Sequence, residues 1–581
     1  MDYYGFYTGK IFDAHEYLGA HRTENGITFR TFAPQAQRIE LLLNDRVIPM
    51  NKVYNGQFYE ANVPDAAFGS TYEYRIYSHN TYTDHCDPYG NMMELRPAHK
   101  SILWDMQEYS FNDSAWIKKR SDMKNRPLNI YELHAGSFQK PDDRPDAWYN
   151  YEELGHRLIP YLKECGYNYV EFLPLCEHPC DESWGYQTTG YFSPTSRYGN
   201  PTQLMKLIDM LHQNNIGAIL DFVPVHFAVD PYGLYHYDGS ALYEYPNNDV
   251  GKSEWGSCNF MHSRGEVCSF LQSSANYWLK VFHFDGLRMD AISRIIYWQG
   301  DERRGVNNNA VQFVRNMNHS LKEMNPGCML IAEDSTSFKG ITKDHGNGGL
   351  GFDYKWDLGW MNDTLYFFST APEKRHEVYH KLTFSMMYFP DEYYMLPFSH
   401  DEVVHCKGTI VNKLYGSIDE KLMQARALYL YMAVHPGKKL SFMGNEIGQL
   451  REWSEKRALD FFKLSEPAHK DFFEYMKSLN QFYLSRPALS EQDYEPEGFE
   501  WADCNQEEKV IYAMIRRSSK EHLLAVFNFS NCDQKYSVRL ENVSSAELVF
   551  NTNGQQGCSY YQDGEYLNMD IPAYTGLVFN I

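Results

Sequence analysis

Four stretches of this chain, AILDFVPVHF (218–227), GLRMDAIS (286–293), LIAEDST (330–336) and PFSHDEVVH (397–405), run from buried-strand hydrophobics straight into carboxylates, histidine or arginine. An unpaired carboxylate at the end of an apolar strand costs several kcal/mol to desolvate, so four such endings demand either mutual pairing or chemistry. What separates these stretches narrows the fold. From about residue 127, apolar runs alternate with amphipathic helical segments, beginning with LNIYELHAGSF (128–138) and NYVEFLPL (168–175). The segment after Asn200 shows the helical grammar. Pro201 suits a first turn, and Leu204, Leu207, Ile208 and Leu211 fall at i, i+3, i+4 and i+7. Further strands are predicted at 216–223, 284–290, 328–333, 350–355, 394–399 and 438–443, the run GLGFDY (350–355) being the weakest of them. With the first two they make eight. Eight strands with intervening helices predict a (β/α)₈ TIM barrel, an α/β fold whose reactive groups collect at the C-terminal strand ends.

On either side of this region the period changes. Residues 26–78 alternate apolar and polar in short runs, GITFRTFAP, RIELLLND, GQFYEANVP and TYEYRIYS, broken by Pro, Gly and Asn turn signals. The runs KVIYAMIRR, HLLAVFNFS, YSVRLENV and AELVFNT after about 488 do the same. The expected organisation is an N-terminal β-sandwich over 1–105, a catalytic barrel over 106–487 and an all-β C-terminal sandwich over 488–581. The segment 227–265, rich in Tyr, Asn, Asp and Gly, is expected to be an elaborated loop over the pocket.

A formal net charge of -22 argues against nucleic acid and against an anionic membrane, and no Lys/Arg cluster offsets it. The aromatic content is 16%, with 46 Tyr and 11 Trp, and rings that keep a polar edge suit sugar as well as core packing. The N-terminus MDYYGFYTGK has no basic region followed by an apolar run, and no stretch is long enough to cross a bilayer, so a soluble, cytoplasmic protein is expected. The 11 cysteines show no paired metal-binding spacing and are expected to be reduced thiols.

Arg288 and Asp290 lie two apart in a strand and therefore on one face, where the arginine keeps the acid ionised, as a nucleophile requires. A purely structural ion pair fits the same two residues. Glu333, near Asp290, is expected to have its pKa raised by the neighbouring charge and to suit proton donation; Asp334 beside it could be a helix cap. His400 and Asp401 end one strand, and Asp221 with His226 end another. A lone histidine in an apolar setting is more often a core residue, but two at equivalent strand ends favour a site. Tyr186, in SWGYQTTGYFSPTSRYGN (183–200), could be a stacking platform or a core aromatic. Retaining glycoside chemistry needs two carboxyls about 5 to 5.5 Å apart across an oxocarbenium-like transition state. Asp290 and Glu333 could meet that requirement, with Asp401 holding ring hydroxyls.

The four strand-end stretches resemble the signature regions of the α-amylase superfamily, in order. LPLCEHPCDESWGYQTTGYFSPTSRYGN, FSHDEVVHCKG and LSFMGNEIGQLREW (440–453) narrow the resemblance to 1,4-α-glucan (glycogen) branching enzymes, over nearly the whole chain. That resemblance implies Asp290 as nucleophile, Glu333 as acid/base and Asp401 as transition-state stabiliser, with Tyr186, Asp221, His226, Arg288 and His400 binding sugar in the innermost donor subsite. It implies an α-glucan polysaccharide (amylose, amylopectin or glycogen) as substrate, with no cofactor and no catalytic metal; acidic loops leave scope for a structural calcium. Val225, Asp334 and Cys406 depart from the usual residues at their positions without removing a catalytic group. Two other readings remain: a hydrolase or α-1,4 transferase on the same barrel, and a non-catalytic glucan-binding protein.

Overall fold

The computed structural model describes residues 1–554 and 558–581. Eight strands form a closed barrel in sequence order. They are β1 (Asn129–Leu133), β2 (Tyr169–Phe172), β3 (Gly217–Phe222), β4 (Gly286–Met289), β5 (Met329–Ala332), β6 (Tyr354–Trp356), β7 (Tyr394–Phe398) and β8 (Lys438–Phe442). Nearly every residue of these strands is buried, because helices cover the outside and side chains fill the inside. The paired registers are parallel: Asp221 faces Arg288 between β3 and β4, and Met289 faces Ala332 between β4 and β5. The chain clusters into two compact units, one of Met1–Ser121, His134–Ile159 and Glu171–Asp353, the other of Asp122–Leu133, Pro160–Val170 and Tyr354–Ile581.

In the first unit the N-terminal strands form two antiparallel sheets. One contains Gly19–Thr23, Gly26–Phe32, Phe58–Val63 and Asn51–Val53, and the other is built on Arg38–Leu43 and Thr71–Ser78. Side chains Ile39, Leu41 and Leu43 turn inward at a period of two, as the sequence pattern required. The helix after Asn200 is α1 (Pro201–Gln213), closed by a reciprocal capping box between Asn200 and Gln203. Helix α2 (Gly265–Lys280) is buried nearly all round, because the N-terminal segment covers the side that a barrel helix ordinarily shows to water. Ser269 donates to the Phe6 carbonyl at 2.9 Å, and the Ala14 N–H donates to Ser273 at 3.0 Å. The segment 227–265 closes on itself, since His226–Phe227 pairs antiparallel with Cys258–Asn259.

The sixth strand begins four residues later than the pattern indicated, at Tyr354, and ends at Trp356. Leu350 and Phe352 donate their N–H groups to Gly340 and Ile341, not to a neighbouring strand, and a Cβ at Gly349 would meet the Lys343 carbonyl at 2.0 Å. Asp353 then exchanges bonds with Leu330, its N–H donating at 2.7 Å and its carboxylate accepting at 2.8 Å, and extended pairing starts at Tyr354.

In the second unit the C-terminal strands form a five-stranded and a three-stranded sheet around Ile511, Val526, Val538, Leu567, Ile571 and Phe579. Helix α3 (Ile418–Val434) supports them: Arg516 donates to the Val434 carbonyl at 2.6 Å and pairs with Asp493 at 2.7 Å, while Asp493 also takes Lys438 of β8 at 2.8 Å. All three of these charged groups are buried, so the pairing supplies what water would otherwise have provided. All eleven cysteines are free thiols, and no helix among the described residues is long and apolar enough to cross a membrane.

Candidate active site

The C-terminal ends of β3, β4 and β5 deliver one bonded cluster in the first unit. Arg288 is 1% exposed, so its charge has to be met by protein groups. Its Nη1 donates to Asp221 Oδ2 at 2.5 Å, to Asp290 Oδ1 at 3.1 Å and to the Tyr186 hydroxyl at 3.2 Å, while its Nη2 lies 3.0 Å from Glu333 Oε2. The Tyr186 hydroxyl in turn donates to Asp221 Oδ2 at 2.5 Å. One planar guanidinium thus sets the spacing of three carboxylates, a task for which its fixed fork of donors is suited and a lysine ammonium is not.

The backbone holds the two outer carboxylates in place. The Asp290 N–H donates to the Phe222 carbonyl at 3.0 Å and the Glu333 N–H to the Met289 carbonyl at 3.1 Å, tying each strand end to its neighbour. Ala291 sits in the left-handed region at φ 49°, which costs energy for a residue with a Cβ and turns its N–H onto Glu333 Oε2 at 2.9 Å.

Burial, and next the Glu333 carboxyl, push the Asp290 carboxyl well above the usual carboxylate range, against the pull of Arg288. The expectation assigned the upward push to Glu333 and an ionised state to Asp290. In the structure the Asp290 carboxyl is raised, by its burial first and then by Glu333 and Asp221. Burial pulls the Arg288 pKa down, but Asp221 first, then Tyr186, Glu333 and Asp290, outweigh it and keep the guanidinium protonated.

His226 follows β3 and is 3% exposed. Burial, then the charge of Arg294, push its pKa down to about 4, so its ring is neutral at ordinary pH. The Tyr191 hydroxyl fixes its backbone by donating to the His226 carbonyl at 2.7 Å. The ring of Trp255, from the long loop, lies 5.1 Å from the imidazole, and the Arg294 guanidinium stacks 4.2 Å over that indole. Trp255 and Arg294 were not singled out from the sequence; a tryptophan in a polar loop over a pocket was the available signal.

The second unit holds His400 and Asp401, just after β7. Glu132 on β1 accepts both the His400 N–H, at 3.0 Å, and its ring Nδ1, at 2.6 Å, while the His400 Nε2 lies 3.4 Å from Asp401 Oδ1. Glu132 and His400 are buried, whereas Asp401 is half-exposed. Glu132 was not picked out either. Its strand is buried at every residue, so no alternation marks it, and its partner is 268 residues away.

Of the three departures, Asp334 accepts the Thr336 hydroxyl at 3.0 Å and shapes its own loop without capping a helix, and Val225 is packed inside. Cys406 is exposed at φ 63°, a conformation that glycine adopts without strain. Among the described residues no group of three or more His, Cys, Asp or Glu side chains is arranged to hold a metal ion.

This geometry sits in a chain with informative relatives. It matches the model of the alpha-1,4-glucan branching enzyme GlgB N-terminal domain over residues 4–89, the alpha amylase catalytic domain over 154–237 and the alpha amylase C-terminal all-beta domain over 501–581. It is 41% identical to the 1,4-alpha-glucan branching enzyme GlgB of Geobacillus stearothermophilus, with 91% of this chain and 85% of that one covered. The chain belongs to the GlgB branching-enzyme family. Another member, from Bacillus caldolyticus, is 42% identical, with 100% of this chain and 90% of that one covered. Solved structures share the fold at low identity. A pullulanase from Anoxybacillus sp. LM18-11, complexed with maltotetraose, has TM-score 0.77 at 16% identity, covering 100% of this chain and 89% of its own. A pullulanase from Paenibacillus barengoltzii, in complex with maltohexaose and alpha-cyclodextrin, has TM-score 0.77 at 17% identity, covering 100% and 97%.

Proposed function

We propose that this 1,4-alpha-glucan branching enzyme works by double displacement, with Asp290 as nucleophile, Glu333 as acid/base and Asp401 as transition-state stabiliser. Glu333 gives its proton to the glycosidic oxygen of an α-1,4 bond as a carboxylate oxygen of Asp290 bonds to the anomeric carbon, and the reducing-end fragment leaves. Glu333, now a carboxylate, takes the proton of an acceptor chain's 6-hydroxyl. That oxygen attacks the anomeric carbon, Asp290 departs, and the segment is joined by an α-1,6 link with its anomeric configuration retained. Arg288 spaces the two acids, Tyr186 offers its ring to the sugar, and Asp221, His226 and His400 bind its hydroxyls.

The observation that supports this reading most is the single guanidinium joined to both Asp290, at 3.1 Å, and Glu333, at 3.0 Å, which keeps the two acids close to each other. Retention needs the short carboxyl separation of about 5 to 5.5 Å, and inversion needs a wider gap that admits water. The wider reading follows the same lines: the substrate is amylose, amylopectin or glycogen, the setting is cytoplasmic glycogen-type synthesis, and the barrel runs over 106–487 between sandwiches at 1–105 and 488–581. The deciding experiment incubates amylose with enzyme. Iodine colour should fall with little gain in reducing ends, and Asp290→Ala should abolish the change while glycogen binding persists. A large rise in reducing sugar would point to a hydrolase, and equal inertness of wild type and variant to a binding protein.

A further inference from the structure

The outer face of the C-terminal three-stranded sheet, formed by Gln534–Arg539, Tyr566–Ile571 and Ser559–Asp563, carries chemistry that the barrel does not use. Its inner residues, among them Tyr536, Val538, Leu567 and Met569, are core. The alternation of the pleat therefore turns three cross-strand rows outward. They are Ser559, Asp570 and Lys535; Tyr561, Asn568 and Ser537; and Asp563, Tyr566 and Arg539. Tyr561 is 66% exposed and Tyr566 50%. Among the described residues neither ring packs on another ring or a cation, and neither hydroxyl is hydrogen-bonded, so both rings have faces to offer. They are diagonal neighbours, with Cα atoms roughly 7–8 Å apart. Beside Tyr561 lies a groove of about 330 Å³, whose walls include Lys509, Lys535, Ser537, Asn568 and Asp570.

Two properties of this face select its ligand. Opposite charges alternate across it, so it has no preference for a polyanion or a polycation. Flat apolar rings bordered by hydroxyl, amide, ammonium and carboxylate groups match a neutral ring that is apolar on its faces and covered in hydroxyls at its rim. We propose that this face is a second, non-catalytic binding site for an α-glucan chain, centred on Tyr561 and extended by Tyr566. The choice of an α-glucan rests on the function proposed above. The site would hold a polymer on the enzyme between turnovers, so it would act on glycogen more than on short chains.

The test is retardation in native gels containing glycogen, with branching of amylose and the unfolding temperature as controls for an intact barrel. Tyr561→Thr keeps a β-branched residue in the strand, and Tyr561→Phe keeps the ring. The Thr variant should lose roughly three- to tenfold in affinity for glycogen, as expected for one lost ring contact, and the Phe variant should keep it. A combined Tyr561→Thr, Tyr566→Thr variant should lose more. Retardation of the Thr variant equal to wild type would overturn the site, as would a wild type that branches amylose but is not retarded by glycogen. A wild type that neither branches amylose nor is retarded would instead overturn the function on which the site rests.

Discussion

Replacing Glu132 by Gln tests the buried pair that orients His400. Each oxygen of Glu132 accepts one N–H of His400, from the backbone at 3.0 Å and from the ring at 2.6 Å, and both residues are buried. Glutamine has the same shape but offers one acceptor oxygen and one NH₂ donor, so one of the two histidine N–H groups is left facing a donor with no water to replace it. An orphaned buried donor costs about 1–3 kcal/mol. At about 2 kcal/mol the loss in kcat/KM is about 30-fold if His400 acts mainly in the transition state, with kcat falling and KM changing less than about threefold. Initial branching rates on amylose, followed by iodine colour and by chain lengths after debranching, give both parameters. The same orphaned donor lowers the unfolding temperature. A variant with kcat/KM within about twofold of wild type and unaltered melting would refute the reasoning.

Other perturbations act on the carboxylate cluster and its surroundings. Glu333→Gln should lower kcat by about a thousandfold. It also removes one of the two leading causes of the raised Asp290 pKa. A raised carboxyl contributes stability below the ordinary range near about 4 and loses it as pH rises through the folded value. The variant's melting temperature relative to wild type should therefore climb from about pH 5 to pH 8; a flat or falling difference refutes it. Tyr186→Phe loses the hydroxyl between Asp221 and Arg288. It should cost about tenfold in kcat/KM, and a wild-type value would remove Tyr186 from the cluster's function. Trp255→Ala uncovers His226, held at about 4 by burial and Arg294. Its pKa should rise toward about 6.5, so the branching rate at about pH 5 relative to pH 7 should fall about tenfold; an unchanged ratio refutes the shielding role. Because wild type keeps this ring neutral, it loses stability as pH drops from about 6.5 toward 4, and the variant should lose less.

The order of the eight barrel strands could be read from the chain, because burial of a strand between helices leaves a continuous apolar run that needs no knowledge of its neighbours. Asp221, Arg288, Asp290 and Glu333 stood out for the same reason, as charges at the ends of such runs. The start of the sixth strand is read four residues early because Leu350 and Phe352 are as apolar as strand residues, and only their bonds to Gly340 and Ile341 show that they lie outside the strand. Glu132 stayed hidden in a strand without alternation. That the Asp290 carboxyl is raised against the pull of Arg288 was not legible either, because it depends on enclosure and on Asp221 across the β3–β4 pairing. The sequence alone determined which groups were too costly to bury without purpose, since desolvation belongs to each side chain separately. Only the tertiary structure decided who shares Arg288 and who holds His400, since Coulomb energy and hydrogen bonding depend on pairwise distances between residues far apart in the chain.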